Sequence, residues 1–210
     1  MRVEDGAAQF GDSREAAIVF GYYRDGERVN YKARSLAGKK YKQLSGGEQR
    51  FYNLDSVLDG SMDTVWITEG EVDAISLVQC GITAVGGVLS VPTGAPAEAS
   101  EDAASMNKYT YVLDALDQGL CNVTRYVIAT DNDDPGRALR KDLVALLGAA
   151  KCWFVDWPDA IKDANEGLVA WGPEQMRLYL SDAQQEWPIA GLYTLDQVPE
   201  PPKLELWDCG

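Results

Sequence analysis

Apolar positions along this chain follow two different periods, one before residue 63 and one after it. From Ala16 the run AIVFGYY, the segment RDGE and the run RVNYKAR place β-branched and aromatic residues on both sides of an Asp-Gly pair. That pattern predicts a β-hairpin with a tight turn. By the two-residue period of a strand, Lys32 and Arg34 share one face while Tyr31 and Ala33 share the other, so one face is basic and the other packs. Residues 1–15 are small and acidic without an apolar period and read as a flexible lead-in. The stretch SLAGKKYKQLSGGEQR reads as a flexible, positive loop.

From Thr64 short apolar runs alternate with helical stretches. VWIT (65–68), TAVGGV (83–88), YVIAT (126–130) and CWFVDW (152–157) read as strands. Between them EVDAISLVQCG closes on Gly81, MNKYTYVLDALDQG ends at Gly119, and RALRKDLVALLG follows Pro135 at a first-turn position. IKDANEGLVAWG and a segment around PEQMRLYLSDAQQ supply two more helices. This order predicts an α/β fold, a parallel sheet of about four strands flanked by helices, preceded by a small basic β-rich N-terminal subdomain. The expected divisions are the lead-in 1–15, the basic subdomain 16–62, the α/β domain 63–185, and a Pro-rich acidic segment 186–210 that reads as a linker toward a further domain.

Composition narrows the chemistry. With 46% hydrophobic and 25% charged residues the chain is of globular type, and it has neither a long apolar run nor an export signal, so a cytoplasmic location with no membrane partner is expected. Cys80, Cys121, Cys152 and Cys209 form no CxxC pair and the chain has no histidine, which argues against zinc and against Ser-His-Asp or Cys-His catalysis. Carboxylates and lysines are left for acid–base or metal work. The net charge of -14 runs against a nucleic-acid partner, yet between Tyr22 and Arg50 eight Lys and Arg residues face three acids.

Functional groups of an open parallel sheet gather at the carboxyl ends of its strands. Glu69 follows VWIT there, Asp131 and Asp133 follow YVIAT, and Asp163 lies just beyond the fourth strand in KDANE. Four carboxylates on one edge repel unless a cation neutralises them, and hard oxygen donors suit Mg²⁺ or Mn²⁺. Each acid taken alone is equally at home as a helix cap.

TEGEVDA, with Glu69, Gly70 and Asp73, followed about sixty residues later by TDNDDPG, with Asp131, Asp133 and Gly136, resembles the TOPRIM domain shared by primases, topoisomerases and some nucleases. IVFGYYRDGERVNYKAR, ITEGEVDAISL, IATDNDDPGR and KDANE occur in the order found in phage-type primase-helicases, a resemblance covering about residues 17–180. It implies a DNA primase core, a nucleotidyltransferase that makes RNA primers on single-stranded DNA in phage replication. Glu69, Asp131 and Asp133 would then be catalytic and, with Asp163, would hold Mg²⁺ or Mn²⁺. Lys32 and Arg34, with Lys39, Lys40 and Lys42 of the basic loop, would contact nucleotide or nucleic acid, and Gly70, Asp73 and Gly136 would support the site. The implied partners are template DNA, ribonucleoside triphosphates, the RNA primer and a linked or associated hexameric helicase, in the cytoplasm of an infected bacterial host.

Three features depart from that family or stay open. Its zinc module has no counterpart here, and no GxxxxGK[ST] loop is present for a helicase. The stretch GGVLSVPTGAPAEAS offers either backbone amides for a phosphate or a plain turn-rich loop. The rival readings are a TOPRIM nuclease and a catalytically weak primase-like module that binds DNA or assembles a replicative helicase.

Overall fold

The structure is a computed structural model and describes residues 3–38, 40–60, 62–100 and 105–189. The first of two sheets is antiparallel, in the order β1 (Val3–Phe10), β2 (Ser13–Arg24), β3 (Glu27–Ser35) and β4 (Tyr41–Gln43). Asp25 and Gly26 join β2 to β3 with φ of 52° and 80°, the paired left-handed conformation that matches the twist of a hairpin. The expected hairpin is therefore present, but the lead-in is not. β1 pairs with β2 from Val3↔Phe20 to Phe10↔Ser13, and Phe10 packs on Ala17 and Ala33. Its residues carry no apolar period of their own; the strand forms because a neighbour supplies the ladder.

The second sheet has the order β6 (Val88–Ser90), β5 (Thr64–Thr68), β7 (Arg125–Ala129), β8 (Cys152–Val155) and β9 (Gln184–Glu186). Its first four strands are parallel, as expected, and β9 runs antiparallel at the edge. β9 falls where the sequence suggests a helix end and a linker. Trp187 follows it, donating its backbone N–H to Cys152 O at 3.0 Å and meeting Phe154 edge to face. The expected linker beyond residue 189 lies outside the described residues. β6 also begins five residues later than TAVGGV predicts, because Val85–Gly87 forms a 3₁₀ turn.

Both faces of this sheet are covered, which is why its strands read as continuous apolar runs. Val65, Ile67, Tyr126 and Ile128 point to a core shared with α1 (Leu54–Leu58), α3 (Thr110–Asp117) and α4 (Asp134–Leu147). Trp66, Val127, Ala129 and Val155 point to the other core, with α2 (Glu71–Gln79) and α5 (Ala164–Asp182). α5 is broken at Gly172, with φ 75°, directly before Pro173, so the two helices expected there are two segments of one element. The antiparallel sheet docks on α2 through Phe20 and Tyr22, which pack with Tyr52, Val72 and Ile75. That contact holds the basic hairpin beside the carboxyl ends of β5 and β7. No helix among the described residues is long and apolar enough to cross a membrane.

Candidate active site

Glu69 is the first residue after β5. Its Oε1 accepts the backbone N–H of Ala95 at 3.2 Å, while its Oε2 is buried without a hydrogen-bond partner. Burial first, then the charge of Asp131, pushes the Glu69 carboxyl up to about 7. The amide of the Gly-rich segment after β6 thus serves Glu69, and Thr93 and Gly94 of that segment line the same cleft.

Asp131 follows β7 and is buried. Gly136 makes its position possible: a Cβ there would lie 2.1 Å from the Asp131 carbonyl oxygen, so α4 starts against that backbone only with glycine. Thr130 Oγ1 donates to Gly136 O at 2.9 Å and ties the strand end to the helix. Asp133 caps α4 by accepting the Gly136 N–H at 2.9 Å. Lys162 reaches both acids, with Nζ 2.7 Å from Asp131 Oδ2 and 3.3 Å from Asp133 Oδ2. Burial raises the Asp131 carboxyl above its usual range against the opposing pull of Lys162, with the charges of Asp163 and Asp133 adding to the rise.

Asp163 caps α5, accepting the Glu166 N–H at 2.8 Å. Asp73, one turn into α2, accepts the Asn165 N–H at 3.0 Å and so joins α2 to the first turn of α5. Burial, then the charge of Asp163, raises its carboxyl. Gly70 has extended backbone, φ -115° and ψ 154°. A Cβ there would stand 2.7 Å from Asp73 Oδ2, so any larger residue would displace that carboxyl.

The opposite wall comes from the hairpin. Lys32 Nζ lies 3.0 Å from Glu71 Oε1, and the Tyr22 hydroxyl donates to the same oxygen at 2.5 Å. Arg34 stands beside it, and both cations lie within 6 Å of the Tyr41 ring centre. A cleft of about 640 Å³ is lined by Lys32 and Arg34 on one side and by Glu69, Asp131 and Asp163 on the other. Among the described residues the acids are not gathered as a ready-made metal cluster: Asp133 and Asp163 each give one oxygen to a helix cap, and Lys162 pairs with Asp131 and Asp133.

Residues 66–168 match the model of the Toprim-like family. Over these residues the chain carries a Toprim-like domain. It is 35% identical over 189 residues to the Twinkle homolog protein, chloroplastic/mitochondrial, of Arabidopsis thaliana, an alignment spanning 86% of this chain and 26% of that protein. It is 36% identical over 179 residues to the primase homolog protein of the same plant, covering 81% of this chain and 51% of that protein. The chain thus spans between a quarter and a half of the curated relatives it matches. Its fold is shared with the crystal structure of the primase fragment of the bacteriophage T7 primase-helicase protein, at a TM-score of 0.60 and 20% identity over 78% of this chain and 61% of that one.

Within the TOPRIM domain the structure brings Glu69, Asp131 and Asp163 to one cleft that Gly70 and Asp73 also line, joins Asp133 to Asp131 through Lys162, and packs Gly136 against the Asp131 backbone. Lys40 and Lys42 are not in that cleft. They line a separate hollow of about 550 Å³ with Gln9, Phe10, Gly11 and Tyr41, and Lys40 is ion-paired to Glu15. Lys39 lies outside the described residues. Sequence reasoning missed Lys162, Glu71 and Asn132. Asn132 donates its N–H to Lys162 O at 2.7 Å and docks the loop that carries Lys162 and Asp163. Lys162 adjoins Asp163 inside KDANE and Glu71 lies inside TEGEVDA, so both were in view as neighbours of the residues singled out. Nothing in their spacing distinguished them from solvated charges.

Proposed function

We propose that the cleft is the nucleotidyl-transfer site of a DNA primase that makes RNA primers on a single-stranded DNA template in phage-type replication. The observation that carries this reading is the meeting of a basic wall, Lys32 and Arg34, with an acidic one, Glu69, Asp131 and Asp163, across one cleft. A polyanionic substrate needs the first wall for its phosphates and the second for its reacting end. The acids suit a divalent ion as hard oxygen donors; burial and neighbouring charge raise the carboxyls of Glu69 and Asp131, and one oxygen, Glu69 Oε2, is buried without a partner. Mg²⁺ or Mn²⁺ would be held by Glu69, Asp131 and Asp133 with Asp163, and would supply positive charge to the reacting α-phosphate.

The chain's own groups do the rest. Lys32, fixed by Glu71, and Arg34 orient the triphosphate. Glu69, whose carboxyl burial and Asp131 raise to about 7, takes the proton of the 3′-hydroxyl as that oxygen bonds to the α-phosphate and pyrophosphate leaves. Template DNA, ribonucleoside triphosphates and the growing primer are the proposed partners, with a hexameric helicase supplied in cis or in trans. A second reading, a DNA-binding or assembly module with weak catalysis, is favoured by the absence of a tight three-acid cluster among the described residues.

Primer extension separates the readings. Single-stranded DNA with a short annealed primer, four ribonucleotides and Mg²⁺ or Mn²⁺ is incubated with wild type and Asp131→Ala. Extension by wild type alone supports the primase; strand cutting points to a nuclease; binding without turnover points to the assembly module.

A further inference from the structure

The ammonium of Lys162 stands where two negative charges meet, 2.7 Å from Asp131 Oδ2 and 3.3 Å from Asp133 Oδ2. Among the described residues these two acids form ion pairs with Lys162 alone. Its main chain is clamped on both sides: the carbonyl accepts the Asn132 N–H at 2.7 Å, and the N–H donates to Glu166 Oε2 at 2.7 Å. Asn132 is the residue between the two acids, so the loop carrying the cation is docked on the loop carrying the anions. The side chain itself is half exposed. An ammonium on a flexible four-carbon stem can leave while its backbone stays in place.

A hard divalent cation and an ammonium make the same demand on these oxygens, and the two cannot share them. We propose that Lys162 is the built-in counter-cation of the acidic site. It neutralises Asp131 and Asp133 when no divalent ion is bound, and a divalent ion binds there by displacing it. Lys162 therefore lowers metal affinity by competition and holds the acids together between metal-bound states. This inference rests on the metal site proposed above.

The test is a Mn²⁺ titration of the full chain, with free ion read by electron paramagnetic resonance, alongside thermal melting in chelator. Removing the cation in Lys162→Met should tighten Mn²⁺ binding roughly fivefold, the order expected for losing a part-exposed ion pair. It should also lower Tm in chelator, where the acids then repel unopposed. Lys162→Arg, which keeps the charge in a rigid fork suited to two carboxylates, should bind Mn²⁺ no more tightly than wild type. Equal or weaker Mn²⁺ binding by Lys162→Met would overturn the proposal, as would tightened binding by Lys162→Arg. Asp131→Ala separates the two levels of the argument. Retained Mn²⁺ binding in that variant removes the metal site and this proposal with it, whereas loss of binding there with no change in Lys162→Met removes this proposal alone.

Discussion

Lys32 of the N-terminal sheet and Glu71 of α2 form an ion pair, 3.0 Å apart, that is largely withdrawn from water, with the Lys32 side chain 15% exposed and Glu71 4%. The pair joins the basic hairpin to the TOPRIM domain, and the Tyr22 hydroxyl shares the same Glu71 oxygen. A lysine held this way presents its charge to the cleft at a fixed place, where an unpaired surface lysine would sweep a volume.

Removing one partner of a buried pair leaves the other charge uncompensated. Glu71→Ala should therefore lower the unfolding free energy by about 3 kcal/mol in urea titration. Tyr22→Phe removes one hydrogen bond to a charged acceptor and should cost about 2 kcal/mol. The double variant should lose less than the sum, because both contacts end on one oxygen. Additive losses would show that the three side chains do not act as a unit.

Gly136→Ala should be among the most damaging small substitutions in the chain. The added methyl meets backbone, the Asp131 carbonyl, at 2.1 Å, and no side-chain rotation relieves it. A loss of more than about 3 kcal/mol is expected. Gly38→Ala, with nothing within 4 Å of the new Cβ, should change stability by less than about 0.5 kcal/mol and serves as the control.

The Glu69 carboxyl is raised from its ordinary 4.5 to about 7. A carboxyl raised in the folded state stabilises the fold fully at pH values below 4.5, and that contribution is lost as pH rises through about 7. Between these values the folded chain binds a proton that the unfolded chain has released. In chelator, Glu69→Gln should thus melt above wild type at pH 8, with the gap closing toward pH 5; thermal scans across that range would show it. A gap independent of pH would mean that Glu69 is not strained by burial and by Asp131.

Asp73→Asn and Asp73→Ala should differ. The carboxyl is held toward its neutral form by burial and by Asp163, and its role is to accept the Asn165 N–H. Asparagine retains an acceptor and should stay within about 1 kcal/mol of wild type, whereas alanine leaves that N–H unpaired and should cost about 2 kcal/mol. Chemical denaturation of both variants decides the matter, and a large loss in Asp73→Asn would assign the carboxylate charge itself a structural role.

Arg34 and Lys40 offer a contrast for nucleic-acid binding under the proposed function. Arg34 lines the acidic cleft, and Lys40 is already paired with Glu15 in the other hollow. Arg34→Ala should weaken binding of single-stranded DNA and reduce the slope of log affinity against log salt by about 0.7, the loss of one phosphate contact on a single strand. Lys40→Ala should change the slope less. Fluorescence anisotropy at several salt concentrations measures both.

Much of this molecule is legible in its sequence. The Asp-Gly hairpin, the buried strands and the helices starting after Gly70, Asp133 and Asp163 follow from local periods and turn chemistry, because those signals act between residues close along the chain. Strands β1 and β9 were not legible, since their residues carry no period and each exists through the edge of a neighbour. The same division runs through the site. Glu69, Asp131 and Asp163 were named from their places after predicted strands together with the spacing of the motifs that carry them, both of which the sequence records. That Gly70 is glycine for the sake of Asp73, that Lys162 lies across Asp131 and Asp133, and that Glu71 holds Lys32 are decisions of the tertiary structure. Each depends on space and charge shared between segments distant in sequence or lying in separate loops, and no local pattern records which oxygen a given ammonium will reach.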